Sequence, residues 1–117
     1  MPKRNDRVAP PAPADGWEVR YADKGAVDGW EELVRSVPNN LFRAWEAMTY
    51  RPEQPDRGGR QHRLKGELGS RMVDGRNLEQ WQYEVTGGGR IWYCPDPTRK
   101  IVWLTYATTG HPKATKG

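Results

Sequence analysis

Between Gln80 and Tyr106 the chain carries three short strand-like runs separated by two turn signals, and this stretch limits the possible folds more than any other. Trp81, Tyr83 and Val85 alternate with Gln82 and Glu84, the period-two pattern of a strand with one buried face. Gly87-Gly88-Gly89 follows, and glycine supplies the positive φ that a tight hairpin needs. Arg90 to Cys94 forms the next run, and Pro95-Asp96-Pro97-Thr98 makes a second turn in which proline fixes φ. In the third run, from Lys100 to Tyr106, strict alternation sets Ile101, Trp103 and Thr105 on one side and Val102, Leu104 and Tyr106 on the other. Both sides are apolar, so the run is expected to be central in a sheet or covered. Short turns of this kind join antiparallel neighbours, which makes the last third of the chain an antiparallel meander.

The first half supplies what covers the sheet. Trp17 to Tyr21 alternates as a short strand. Ala26, Trp30, Leu33, Val34 and Val37 recur at helical spacing up to Pro38, which closes the helix. Leu41, Phe42, Trp45 and Met48 mark a second helix, for which Asn39 or Asn40 can serve as cap. Arg51 to Gln61 reads as a loop, and His62 to Leu68 can hold a short extended piece. The order β-α-α-β-β-β implies an α+β fold, a small antiparallel β-sheet with an N-terminal helical hairpin packed on one face. Residues 1–15, with four prolines and one branched aliphatic side chain, are expected to form a disordered tail, leaving 16–117 as the single domain.

Composition narrows the functional classes. Cys94 is the sole cysteine, so the chain can form no internal disulfide, which suits a reducing compartment. Lys3-Arg4 is followed by prolines and alanines, so no secretory leader is expected, and no run is long enough for a membrane span. A cytoplasmic protein is the expectation. The net charge of +4 is unevenly placed. Arg57 to Arg76 holds six Lys and Arg residues and His62 against Glu67 and Asp74, and no acid follows Pro97. A basic second half points to a polyanionic partner, nucleic acid first and an acidic protein second. The two histidines and one cysteine have no zinc-ligand spacing, the triple glycine precedes a strand and not a helix, and no serine nucleophile elbow is present.

Four stretches, in this order, resemble the RelE/ParE superfamily of toxins from type II toxin–antitoxin systems, in its HigB/RelE-like branch. They are Arg63-Leu64-Lys65-Gly66 after the helical hairpin, Trp81 to Val85, Gly89-Arg90-Ile91-Trp92-Tyr93 with Asp96, and Thr109-Gly110-His111-Pro112-Lys113-Ala114-Thr115-Lys116. The likeness runs from Trp17 to Lys116. It implies a ribosome-dependent mRNA endoribonuclease that inhibits translation, partnered by a cognate antitoxin as well as by mRNA and the ribosome. The attacking group in such enzymes is the 2′-OH beside the scissile phosphate, so no metal or organic cofactor is expected. Carried onto this sequence, the resemblance makes Arg90 the phosphate-binding cation and His111, Lys113 and Tyr106 further catalytic candidates. Lys65, Arg71, Arg63 and Lys116 are the corresponding RNA-binding candidates. Arginine suits the phosphate because its planar fork binds two oxygens and stays charged. Histidine suits proton transfer because its pKa lies near neutrality. Tyr106 can stack on a base, donate a proton or sit in the core, and Trp81, Tyr83, Trp92 and Trp103 are read as core aromatics. One departure is that some relatives carry paired lysines where this chain has Trp81 and Tyr83. That keeps open two alternatives on the same fold, a ParE-like inhibitor of DNA gyrase and a binding protein without catalysis.

Overall fold

A computed structural model describes residues 2–8 and 14–110. The first strand, β1, spans Glu18–Tyr21 and leads into two helices, α1 (Gly25–Ser36) and α2 (Pro38–Tyr50). Three short strands follow, β2 (Gln61–Arg63), β3 (Ser70–Val73) and β4 (Arg76–Glu79), with a 3-10 turn at Gly66–Gly69 between the first two. The expected meander is β5 (Trp81–Glu84), β6 (Arg90–Asp96) and β7 (Ile101–Thr108). Five strands form one sheet in the order β1-β7-β6-β5-β2, and β3 and β4 pair separately as a hairpin. The sheet is therefore mixed and not wholly antiparallel, because β1 lies parallel to β7. A parallel pair needs a long crossover, and here the helices and all the strands between β1 and β7 provide it.

The helices and one sheet face enclose the main core. Val19, Tyr21, Leu33, Trp45, Met48, Ile91, Tyr93, Val102 and Leu104 are all buried in it. Trp30 and Trp45 meet across the two helices at 5.8 Å between ring centroids, tilted by 54°. Helix α1 approaches β7 closely at Gly29, where a Cβ would lie 1.8 Å from the Ala107 carbonyl oxygen, so only glycine fits there. Helix α2 begins at Pro38, with Val37 as N-cap and no side-chain capping bond, and not at an asparagine cap. Asn40 instead donates to the Val85 carbonyl at 3.3 Å, tying the helix to the sheet. Phe42 is exposed, since one residue along a helix turns the side chain about 100° away from buried Leu41.

Residues 2–8 depart from the expected disorder. Asn5 and Val8 donate to the carbonyls of Tyr21 and Val19, Tyr21 donates back to Asp6, and Val8 is buried. The prolines that make the tail look unfoldable fall mostly beyond this segment, and its one aliphatic side chain is the one that packs.

On the opposite sheet face a second, smaller core forms from Val73, Cys94, Ile101 and Trp103, with Ala22 and Leu78 at its margin. The β3–β4 hairpin covers it. Asp74-Gly75 makes the two-residue turn, with φ of 51° and 81°, because Val73 and Arg76 are directly paired. Burial pushes the Cys94 thiol up to about 12, so it is an unreactive core group. Among the described residues no helix is long and apolar enough to cross a membrane.

Candidate nucleic-acid interface

The hairpin covers only part of the outer sheet face, and the part it leaves bare is organised by an irregularity in β7. Tyr93 pairs with Leu104 but Trp92 pairs with Tyr106, so Thr105 is an extra residue, a β-bulge. Past the bulge the alternation of β7 reverses. Ala107 turns to the helix side and Tyr106 turns outward, opposite to the facing that strict alternation assigned to Tyr106. The Thr105 hydroxyl is buried against Gln80, and Arg71 Nη1 donates to the Thr105 carbonyl at 3.5 Å. The bulge is thus held by side chains from the β3–β5 region.

Two rows of side chains cross the bare surface. Arg60, Glu84, Arg90 and Thr108 lie in one row, through the Arg60–Glu84 backbone bond and the register of β5, β6 and β7. His62, Gln82, Trp92 and Tyr106 lie in the next. Their chain neighbours Tyr83, Ile91 and Ala107 belong to the helix-side core, which sets these two rows on the outer face. Along each strand the rows are two residues apart, roughly 7 Å.

The first row is cationic. Arg90 forms no ion pair among the described residues; its Nε reaches only the Gly88 carbonyl, at 3.4 Å. Arg60 donates to the carbonyls of Glu84 and Val85 and also keeps its charge unpaired among the described residues. Glu84 is the one carboxylate between them. The second row is aromatic and polar. Trp92 and Tyr106 have ring centroids 4.9 Å apart and are tilted by 49°. Trp92 Nε1 donates to Gln82 Oε1 at 2.9 Å, which fixes the indole, while Tyr106 remains 42% exposed. His62 Nδ1 lies 3.1 Å from the Arg63 carbonyl.

Neither family models nor curated proteins nor solved structures give a match to this chain.

The anticipated site residues divide accordingly. Arg90 and Tyr106 share the bare face. Arg71 and Arg63 already have partners within the chain. Arg71 pairs with Asp23 at 3.0 Å, while Arg63 binds the Gly69 carbonyl and Glu79 at 3.1 and 3.4 Å. Both brace the segment around β3, and both side chains stay partly exposed. Lys65 is exposed beside the 3-10 turn and forms no ion pair among the described residues. His111, Lys113 and Lys116 lie outside the described residues. The last described residue, Gly110, rests against Gly88 near the Arg90 row. The reading of Trp81, Tyr83 and Trp103 as core is met, but Trp92 is half-buried on the bare face. Its place could have been found from Gln82 and Glu84. Those polar residues mark the outer side of β5, and the glycine turn sets Trp92 and Arg90 opposite them.

Proposed function

We propose that the chain is the toxin of a type II toxin–antitoxin pair, a cytoplasmic, ribosome-dependent mRNA endoribonuclease. The observation that carries the reading is the bulge at Thr105, which turns Tyr106 to the same face as Arg90, a face left bare and an arginine left without an ion pair among the described residues. A basic protein that leaves a cation and an aromatic together on an open sheet offers what a single-stranded RNA needs. The resemblance in motif order adds the reaction.

The 2′-OH attacks the adjacent phosphorus, the P–O5′ bond breaks, and a 2′,3′-cyclic phosphate and a 5′-hydroxyl result. One group takes the 2′-OH proton and another supplies a proton to the leaving oxygen. Arg90 lies on the phosphate and offsets the charge that builds on its oxygens. His111 follows directly on Gly110 and is the proton-transfer group on this reading, with Lys113 beside it; Tyr106 is the second candidate. Lys65 and Lys116 hold flanking phosphates. The nucleophile is part of the substrate, so the step itself calls for no metal or organic cofactor. An acidic segment of a cognate antitoxin would be drawn to the same basic face.

The test is to induce the chain in bacteria and map the 5′ ends of cellular mRNA. Growth arrest is expected, with new 5′-hydroxyl ends inside translated messages and relief by the antitoxin. His111→Gln should lower cleavage on the order of 10²–10⁴-fold, and His62→Gln far less. Normal growth with unchanged ends at high soluble expression would overturn the reading. DNA breaks without new mRNA ends would point to gyrase, the alternative that Trp81 and Tyr83 leave open by standing in place of lysines and packing into the helix-side core.

A further inference from the structure

We infer that the Trp92–Tyr106 pair is a stacking platform for one unpaired base of single-stranded RNA, with the phosphate next to that base held on the Arg60–Arg90 row. The inference rests on the ribonuclease reading only for the identity of the nucleic acid; its geometry comes from the sheet. An aromatic pair on a sheet face is ordinarily sealed by whatever packs on it, as Trp103 is sealed by the β3–β4 hairpin a few residues away. Trp92 and Tyr106 have no such cover among the described residues. Three features suit a base. Trp92 is held from behind by Gln82, so its ring is fixed before any ligand arrives. Tyr106 presents an exposed ring, aimed outward only because of the bulge. Gln82 spends its carbonyl on the indole, so its amide N–H groups stay available to acceptors on a base edge.

Charge complementarity selects the ligand. The neighbouring row carries Arg60 and Arg90 against Glu84 alone, a surplus of one positive charge, and neither arginine has a carboxylate partner among the described residues. Rows roughly 7 Å apart match the span from a base to its own phosphate along an extended strand. A duplex buries its base faces and cannot use the platform.

The experiment is fluorescence anisotropy of labelled oligoribonucleotide hexamers titrated with the purified full chain, with the same hexamers as duplexes and as deoxy strands. Single strands should bind more tightly than duplexes, and ribo- more tightly than deoxyribo-hexamers. Trp92→Ala and Tyr106→Ala should each weaken binding roughly five- to hundredfold. Tyr106→Phe keeps the ring and should stay within about threefold of wild type. Arg90→Ala should flatten the salt dependence, and Trp92→Ala should leave its slope unchanged. Wild-type affinity in folded Trp92→Ala and Tyr106→Ala, or duplexes binding as well as single strands, would overturn the platform. Tighter deoxy binding would overturn RNA as the ligand. The two proposals fail separately. Hexamer binding that depends on Trp92 without any mRNA cleavage sinks the ribonuclease and keeps the platform. Cleavage with an unchanged KM in Trp92→Ala does the reverse.

Discussion

Trp103 and Trp92 lie on the same outer face of the same sheet, on adjacent strands, and meet opposite fates. Trp103 is 2% exposed beneath the β3–β4 hairpin, with Cys94, Ile101 and Val73 around it and its indole N–H without a hydrogen-bond partner among the described residues. Trp92 has its indole N–H satisfied by Gln82 and its ring left against an exposed tyrosine. The covered half behaves as core: it excludes water even at the expense of a polar group. The bare half keeps its indole N–H bonded and its aromatics held in place, while the Gln82 amide N–H groups and Arg90 still have donors to offer. One sheet face can serve both ends because the Thr105 bulge changes the facing of β7 at the boundary.

Truncating the two indoles should separate the halves most clearly. Trp103→Ala empties a sealed core and should cost about 3–5 kcal/mol. Trp92→Ala removes a half-buried ring and should cost about 1 kcal/mol. Urea denaturation of both variants measures the gap, and equal losses would mean that the bare half is core after all. A smaller effect is expected where the hairpin is fastened. Asp96 is 1% exposed, lacks a hydrogen bond at either oxygen among the described residues, and faces Arg76 at 3.5 Å and Arg99 at 3.8 Å. Arg76→Ala leaves that buried carboxylate to Arg99 alone and should cost roughly 1–3 kcal/mol. A loss within about 0.5 kcal/mol, the range of ordinary surface substitutions, would show that Arg76 is not needed to fasten the hairpin.

The mildest effect should come from acid. Asp23 is held below the usual carboxylate range, first by the Gly25 N–H and then by Arg71, and Asp74 is held low by Arg99. Both folded-state values lie below their unfolded ones, so the stabilisation is present at neutral pH and disappears as pH falls through the lowered values. Both pairs are well exposed, so each adds little and is screened by salt. Amide protection factors, corrected for the intrinsic exchange rate at each pH, should fall in β3 and β4 before they fall in β6 and β7. Simultaneous loss of protection in all four strands would show that these pairs do not fasten the hairpin separately.

These contrasts also mark where the sequence could be read. The meander was legible because the glycine run and Pro-Asp-Pro turn sit between alternating strands, and α1 was legible because Trp30 and Leu33 repeat at helical spacing. The β3–β4 hairpin carried a signal too: Asp74-Gly75 is a preferred two-residue turn, but Ser70 to Glu79 alternates too weakly to announce strands. The parallel pairing of β1 with β7 is a contact between distant parts of the chain and leaves no local trace. The bulge left none either. Thr105 continues an alternating run without a break, and only its bonds to Gln80 and Arg71 explain why the register shifts there. Half of the candidate site was therefore legible as residue types, Arg90 and Tyr106 above all. Trp92 and Gln82 could be placed from the alternation of β5 and the glycine turn, whereas the outward facing of Tyr106 depends on the bulge, which no local pattern encodes.

On the proposed reading, the bare half of the outer face acts on RNA through Arg90. Arg90→Ala, assayed on ribosome-bound mRNA with its fold checked by circular dichroism, tests it most directly. Arg90 is partnered only by a carbonyl among the described residues, so stability should change by less than about 0.5 kcal/mol. Cleavage should fall on the order of 10²–10³-fold, the scale for losing one preorganised group on a developing oxyanion. Arg90→Lys should recover little of it, since lysine lacks the two-pronged geometry. A folded Arg90→Ala protein that cleaves at the wild-type rate would show that Arg90 takes no part in the reaction.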